Sequence, residues 1–519
     1  LSTRLQLALN TEVPVRSIFD APTVADLADH LHRQRTGRIR PPVAPVRRPD
    51  RIPLSYAQQR LWFLNQFEGG AATYNMPTAF RIRGALDVEA LGAALDDVIA
   101  RHESLRTVFP DIDGVPFQEV LPARAGMWRR GGAAVMSLPE QDVAGELVAL
   151  AGYRFDLSAE IPIRAQIYSV GPEQHVVGIV VHHIACDGWS LAPMVRDMGQ
   201  AYRARRQGRA PQWAPLAVQY VDYTLWQRDW LGAATDPDSV IAGQLAYWRQ
   251  ELADLPEVVS LPVDRARPPV PSYRGDAVQL RIDPQVWAGA KELAATHDAT
   301  VSMVLQAVLA VLLHRVGAGE DIVMGAPIAG RLDEALDELV GFFVNTWVSR
   351  VGVNFRHRFS DVLQQVRQKA LNAYSNQDVP FELLVEQLNP VRSGAHHPLF
   401  QVAMAFQNNV RPEVVAIDGV SVEQLAVVSR TAKFDLHFDL GEVPTADPAA
   451  PMAAGTVSYA TDLFDRTTIE RLVTRFVRLL EAVVADASVV VGEVSLLDGG
   501  ERELVVSGFT GAGVAAPVG

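Results

Sequence analysis

The chain is expected to adopt an α/β (α+β) fold divided into two lobes, and three observations carry that expectation. From Pro53 to about Gly499, short β-branched runs alternate with amphipathic stretches of helical period. Those roughly 450 residues exceed what one hydrophobic core holds, since single cores stop growing at about 250–300 residues. Apolar residues make up 48% and charged residues 21%, the mix of a globular protein, which excludes global disorder and collagen-like repeats.

Residues 1–36 read as short helices. Thr23 with Asp26 forms a capping-box-like start, after which Val24, Leu27 and Leu31 fall on one face. So short a piece cannot bury enough surface to fold alone, so it is expected to be the C-terminal part of another domain. Residues 37–52 form a linker. From Arg33 to Arg51 the chain carries seven arginines, four prolines and one acid, with no aromatic residue interleaved, which suits a stiff Pro-rich connection better than a nucleic-acid arm.

The first lobe is placed at 53–230. His175 to His183 (HVVGIVVHH) is a buried strand by its β-branched content. Ser190 is a good N-cap for a helix whose stripe is Leu191, Met194, Val195, Met198 and Tyr202. The second lobe is placed at 231–497. Val301 to Val316 is a buried helix, too short for a bilayer and interrupted by Gln306 and His314. Gly455 to Phe464 is expected as a strand, and Thr468 to Ala485 as an amphipathic helix turning Ile469, Leu472, Val473, Phe476, Leu479, Leu480 and Val483 inward. From Asp498 to 519 the chain turns Gly-rich, as a linker does.

Lys and Arg total 47 against 60 Asp and Glu, a net charge of −13, which gives no basic footprint for nucleic acid. No stretch reads as a membrane span or a secretory signal. One cysteine in 519 residues forbids an intrachain disulfide framework and a Cys-rich metal cluster, and fits a cytoplasmic location.

The stretch that could carry chemistry is Val181 to Ser190 (VHHIACDGWS). Side chains alternate along a strand, so His182 and His183 cannot both face one cavity. One is structural, and the other is available to a substrate with an imidazole that titrates near neutrality. Gly188 permits the turn, and the helix start near Ser190 aims free N–H groups back at it. Asp187 beside the turn is expected to fix geometry through an arginine. Cys186 has no neighbour that lowers a thiol pKa and is expected to be inert. No metal site is expected: adjacent strand histidines diverge, and neither HExxH nor CxxC occurs. His396 and His397 sit in a Gly/Pro-flanked loop without nearby acids and are read as bland. No phosphate-binding Gly-rich loop is present, since GAGE at Gly317 to Glu320 is not GxGxxG.

The segment His182 to Gly188 (HHIACDG) resembles the HHxxxDG signature of condensation domains of nonribosomal peptide synthetases. Six further stretches resemble that family's other motifs in order: Ser55–Leu64 (SYAQQRLWFL), Arg101–Phe109 (RHESLRTVF), Tyr220–Trp226 (YVDYTLW), Val340–Thr346 (VGFFVNT), Gln377–Glu382 (QDVPFE) and His397–Phe400 (HPLF). The resemblance implies two chloramphenicol-acetyltransferase-like lobes in a V with a central tunnel. A donor aminoacyl or peptidyl thioester and an acceptor amine, each tethered to a carrier domain by 4'-phosphopantetheine, would enter from opposite mouths and leave as an amide. By motif position His183 is the active-site histidine, His182 the inward structural one, and Gly188 the residue that lets the loop approach the thioester. Asp187 corresponds to an aspartate that salt-bridges an arginine of RHESLR, Arg101 first and Arg106 second. Trp189, Ser190 and Asn345 are candidates for the tunnel wall.

Leu1–Leu5 (LSTRL) and Val13–Leu31 are similar to the part of a peptidyl carrier domain that follows its GGxS motif, so the phosphopantetheine serine is expected before Leu1; Ser2 lacks the preceding Gly-Gly. Gly500–Phe509 resembles the lead-in to an adenylation domain. Trp189 and His396–Asn408 are closer to the subtype taking a donor that ends in a D-residue, and Asn376 stands where the family often has His. An epimerisation domain shares the histidine signature but is disfavoured by VGFFVNT and HPLF. A cyclisation domain would carry DxxxxD. A non-catalytic recruitment domain usually has a damaged signature, and a coenzyme A acyltransferase is disfavoured by the carrier fragment.

Overall fold

The computed structural model describes residues 2–9, 11–33, 39–67, 72–129, 135–389, 393–407, 419–425, 427, 430–445, 447 and 450–508. Residues 34–38 of the Arg/Pro segment, Asn408 of the subtype motif and residues 509–519 lie outside them.

Two sheets form two lobes. The first lobe contains β1 (Asn75–Gly84), β2 (Val135–Ser137), β3 (Ile163–Gly171) and β4 (Gln174–His182). The second contains β5 (Gly275–Ile282), β6 (Asp321–Ile328), β7 (Asn345–Gly352) and β8 (Val402–Gln407), then, after β9 (Val420–Leu425), β10 (Leu436–Val443) and β11 (Met452–Ala460). The six-stranded order is β7-β6-β8-β10-β11-β5, and the five-stranded order is β9-β1-β4-β3-β2. β9 therefore leaves the second half of the chain and pairs antiparallel with β1, Val420 opposite Gly84 and Leu425 opposite Ala79. The lobes are stitched together, and a cut near residue 230 does not separate two independent chains of contacts.

The two largest hydrophobic cores follow the same division: one runs from Leu231 to Leu496 and the other from Leu54 to Tyr202, with Val340 joining the latter. A smaller cluster packs Tyr220 and Tyr223 of the first half against Leu336, Leu339 and Phe343 of the second. The helix Arg466–Ala485 buries the seven residues its period selects: Ile469, Leu472, Val473, Phe476, Leu479, Leu480 and Val483. The helix Val301–Arg315 is buried almost throughout, capped by Thr300, whose hydroxyl accepts from Met303 N–H at 3.3 Å. No single described helix is long and apolar enough to cross a membrane; this one passes such a test only jointly with Pro284–Thr296, from which it bends by 103°.

The N-terminal helices Ser2–Leu9, Val15–Asp20 and Val24–Arg33 lie against the second lobe, where Arg16 donates to Asn372 at 3.2 Å and the Arg367 guanidinium sits over Phe19. Of the face read from sequence, Leu31 is buried, whereas Val24 is exposed, because so short a segment covers little surface. The described part of the Pro/Arg linker is strapped to both lobes. Val43 N–H donates to Asp333 at 2.9 Å, Arg40 pairs with Asp378 at 2.8 Å, and Ile52–Pro53 pairs with the strand Val115–Val120.

Candidate active site

β4 is hydrogen-bonded on both sides, with Asn75 opposite His182 and Ile163 opposite Val181, and it delivers its last residue to the junction between the lobes. The chain then makes two short turns, His183–Ala185 and Gly188–Ser190, before the helix Leu191–Arg206. The break in extended geometry separates the two histidines. His182 points into the first lobe, 1% exposed, its ring edge-on to Phe155 and its Nδ1 accepting from Ile184 N–H at 3.2 Å. Burial, and next the Lys433 charge, pushes its pKa down to about 3. His183 packs edge-to-face on Phe342, 4.8 Å between ring centres, and lines a chamber between the lobes. Burial, with Lys433 again the second cause, lowers its pKa well below the usual histidine value, so the imidazole is neutral with an electron pair to offer.

Asp187 is fully buried and satisfied on both oxygens. Oδ1 accepts from Ser190 N–H at 2.9 Å and lies 2.8 Å from Ser190 Oγ and 3.3 Å from Arg331, while Oδ2 accepts from Phe343 N–H at 3.0 Å. The aspartate thus caps the turn and pins the second lobe, but its arginine is neither Arg101 nor Arg106. Arg101 pairs with Asp197 at 2.7 Å, because the helix Val88–Arg101 packs along Leu191–Arg206 and meets it more than a turn beyond Asp187. Arg106 donates to Leu121 O at 2.6 Å and faces Glu103. Arg331 arrives from the loop after β6. There Gly330, at φ +69, passes so close to Phe343 O that a Cβ would sit at 1.9 Å, so only glycine makes the turn.

Two tunnel candidates prove structural. Ser190 is 0% exposed, and its hydroxyl accepts from Gly341 N–H at 3.1 Å and Arg331 at 2.8 Å, which leaves nothing for a substrate. Asn345 donates to Gln377 O at 2.9 Å and Val379 O at 2.7 Å and accepts from Thr346 and Phe381 N–H, so it clamps β7 to the QDVPFE segment. Trp189 and Gly188 do line the chamber. A Cβ on Gly188 would meet only Gln407 Oε1, at 3.7 Å. Cys186 is buried, and burial raises its thiol pKa far from the reactive range.

The chamber encloses about 210 Å³ and draws walls from both lobes: His183, Gly188 and Trp189 from the first, Thr346, Gln407 and His437 from the second. It adjoins a cavity of about 480 Å³, and Arg60, Tyr74, His397, Lys433 and Phe434 line both. Arg60 lies 2.9 Å from His397 Nε2 and 3.4 Å from Glu382, and covers Phe381. His397 is therefore part of the passage rather than a bland loop residue, and His396 has an acid near it, Glu257 at 3.6 Å. Arg60, Glu382 and His397 sit inside motifs noted in the sequence, so the signal for them was present. Arg331 and Lys433 lie outside those motifs. Among the described residues no group of His, Cys, Asp and Glu is arranged to hold a metal.

A family model described as "Condensation domain" matches residues 49–506. The chain is 48% identical over 517 residues to a probable non-canonical nonribosomal peptide synthetase, CymA, of Salinispora arenicola, covering 100% of this chain and 6% of that protein. It spans 6–21% of the length of eight curated relatives. Among solved structures, the X-domain from teicoplanin biosynthesis is 34% identical at a TM-score of 0.80, covering 88% of this chain and 100% of that one. The first condensation domain of the calcium-dependent antibiotic synthetase, in complex with a substrate analogue, shares the fold at 22% identity and a TM-score of 0.69, covering 87% and 100%. Sheet order, junction and family match converge: the chain belongs to the condensation domain family of nonribosomal peptide synthetases, a fold of two chloramphenicol-acetyltransferase-like lobes.

Proposed function

We propose that the chain joins a donor aminoacyl or peptidyl thioester on an upstream carrier domain to the amine of an acceptor on a downstream carrier domain, His183 being the group that meets the reacting atoms. The observation that carries this is His183 on a chamber walled by both lobes, adjoining a second, wider cavity with which it shares wall residues. Such a passage fits the thin, flexible 4'-phosphopantetheine arms on which carriers hold substrates, with the chemistry of an activated thioester.

An α-amine has an unperturbed pKa of about 8, so a useful fraction is already neutral near pH 7. Holding amine and carbonyl in attack geometry supplies several kcal/mol. As the new C–N bond forms, His183 takes the proton from nitrogen and orients the amine, a role typically worth about 10²–10⁴ in rate. Gly188 leaves room for the thioester, Trp189 borders it, and His182, Asp187 and Arg331 hold the turn. Residues 1–36 are read as the end of the donor's carrier domain, the adenylation domain follows downstream, and the cytoplasm is the site of action. Trp189 and the His396 segment support a donor ending in a D-residue.

The test offers the protein matched donor and acceptor carriers loaded with D- and L-ending peptidyl groups and looks by mass spectrometry for the elongated peptide on the acceptor. No elongation with any pair sinks the reading. The likeness to the X-domain, one structure of which is a complex with OxyB, favours partner recruitment as the second reading. Under it the protein binds partners yet elongates nothing.

A further inference from the structure

The cations of the passage are not equivalent. Arg60 is engaged by Glu382 and His397 and stacked on Phe381. Asp435, two residues beyond Lys433, is bound by Arg267 at 2.9 Å. Lys433 itself lies over the Tyr74 ring, 4.8 Å from its centre, on the wall common to both cavities. Among the described residues no carboxylate comes within 4.0 Å of its Nζ. A sheltered charge without a partner is costly, and proteins keep one where a ligand supplies the opposite charge.

The remaining chamber groups do not supply a competing cation. His183 is neutral, and Gln407 presents its carbonyl oxygen, because its Nε2 is tied to Asp439 at 3.2 Å. Trp189 contributes a neutral N–H. Attack on a thioester, in contrast, places a full negative charge on the carbonyl oxygen, the position where a preorganised donor does most.

We propose that the Lys433 ammonium is the group that holds the thioester carbonyl oxygen as it becomes an oxyanion; this rests on the condensation reading. The amine nitrogen adds to the carbonyl carbon, and the C=O pair moves to oxygen opposite Lys433. The pair then returns, the C–S bond breaks, and the amine proton passes through His183 to the departing sulfur. Amide and thiol result, and Lys433 is unchanged.

Burial, then the Arg60 charge, lowers the Lys433 pKa to about 8, so the ammonium is lost as pH rises through that value. The charged and titratable groups around it are Arg60, whose charge acts on it, His182, His183 and His437, on which its own charge acts, and Glu382 and His397, which share its cavity wall; Asp439 stands behind His437. The four histidines are held neutral by burial, so none of them titrates near pH 8.

The experiment is single-turnover amide formation by the full chain from N-acetyl-D-alanyl-S-pantetheine and glycyl-S-pantetheine, followed from pH 6.5 to 9.5. Lys433→Met, at an unchanged melting temperature, is expected to lower the rate about 100-fold with the donor concentration dependence unmoved, the loss typical of one oxyanion donor. Lys433→Arg is expected to recover to within about tenfold of wild type, and its alkaline fall to begin at higher pH. The wild-type rate is expected to fall above about pH 8, and that fall to be absent in Lys433→Met. A Lys433→Met rate equal to wild type overturns the proposal, as does a defect confined to an N-acetyl-D-aspartyl donor, which would mark a side-chain selector. Should wild type make no amide from these probes or from loaded carriers, the condensation reading falls, and this proposal with it. Amide from wild type alongside an unimpaired Lys433→Met removes the proposal alone.

Discussion

Two regions a few residues apart treat polar groups in opposite ways. At the lobe junction, both carboxylate oxygens of Asp187 and the hydroxyl of Ser190 are bonded, and Arg331 reaches both residues and the carbonyl of Leu339 at 3.0 Å. In the chamber beside it, among the described residues, His183 Nδ1, Trp189 Nε1 and Gln407 Oε1 have no hydrogen-bond partner, and no carboxylate lies within ion-pair distance of Lys433. Buried polar atoms left unpaired in a native protein ask for an explanation, and the usual ones are catalysis or an absent ligand. At the junction Asp187 and Ser190 are satisfied within the protein and Arg331 keeps only its Nε unpaired; in the chamber the unpaired groups face open space, where a substrate can meet them. Mutations in the two regions should therefore divide between stability and rate.

The largest effect is expected at the junction. Asp187→Ala strips Ser190 N–H and Phe343 N–H of their acceptor and Arg331 of its carboxylate partner at a fully buried point. Removing one partner of a buried pair typically costs about 3–5 kcal/mol, so this variant should melt many degrees lower and express poorly. A double-mutant cycle sharpens the assignment: Asp187→Asn should couple with Arg331→Met and be additive with Arg101→Met. Coupling to Arg101 instead would restore the pairing that the motif suggested. His183→Ala should do the reverse, losing about 10²–10⁴ in single-turnover rate while its melting temperature stays near wild type. A wild-type rate in that variant would break the division.

What was legible in the sequence follows from range. The strand ending at His182, the helix Arg466–Ala485 with its seven inward residues and the buried helix Val301–Arg315 are set by local periodicity, and the sequence carries that period openly. Arg331 lies 144 residues from Asp187, on a loop whose path depends on one glycine, and no local pattern joins them. The family resemblance points to Arg101 first, but helix packing gives it to Asp197. Ser190 and Asn345 illustrate the same limit. Each stands in a motif next to the chamber, and only the folded chain shows that backbone groups consume their hydrogen-bonding capacity. The crossing strand β9 alternates only from Val420 to Glu423 before Gln424 and Leu425 break the period, so nothing local says which sheet receives it.

The buried histidines in and beside the chamber also predict an acid weakness. His182 and His397 have folded pKa values pushed down to about 3, against about 6.5 when unfolded, and His183 is lowered in the same direction. The unfolded chain then binds more protons, so stability is full above pH 6.5 and is lost as pH falls from there toward 3. Each such histidine contributes on the order of a few kcal/mol across that window. Thermal melts should show a steep decline below pH 6, eased in His397→Gln; a flat profile down to pH 4 would contradict the burial of these rings. Gly188→Ala tests a milder intrusion. Its Cβ meets only Gln407 Oε1, at an ordinary 3.7 Å, so the fold should persist while the rate falls roughly tenfold through crowding of the thioester.

The smallest effect is expected at Cys186, which lies between the two regions and belongs to the scaffold. Its side chain is 0% exposed, packed in the first-lobe core and 3.4 Å from Asp187 O. Burial and the Asp187 charge both disfavour the thiolate, which is the form that reacts. Iodoacetamide should therefore leave the folded protein unmodified and alkylate it once only after unfolding in guanidinium. Cys186→Ala removes a small buried group, so it should cost about 1 kcal/mol and leave the rate intact. Stoichiometric alkylation of the native protein, or loss of rate in Cys186→Ala at unchanged stability, would move this cysteine from the scaffold into the chamber and erase the boundary between them.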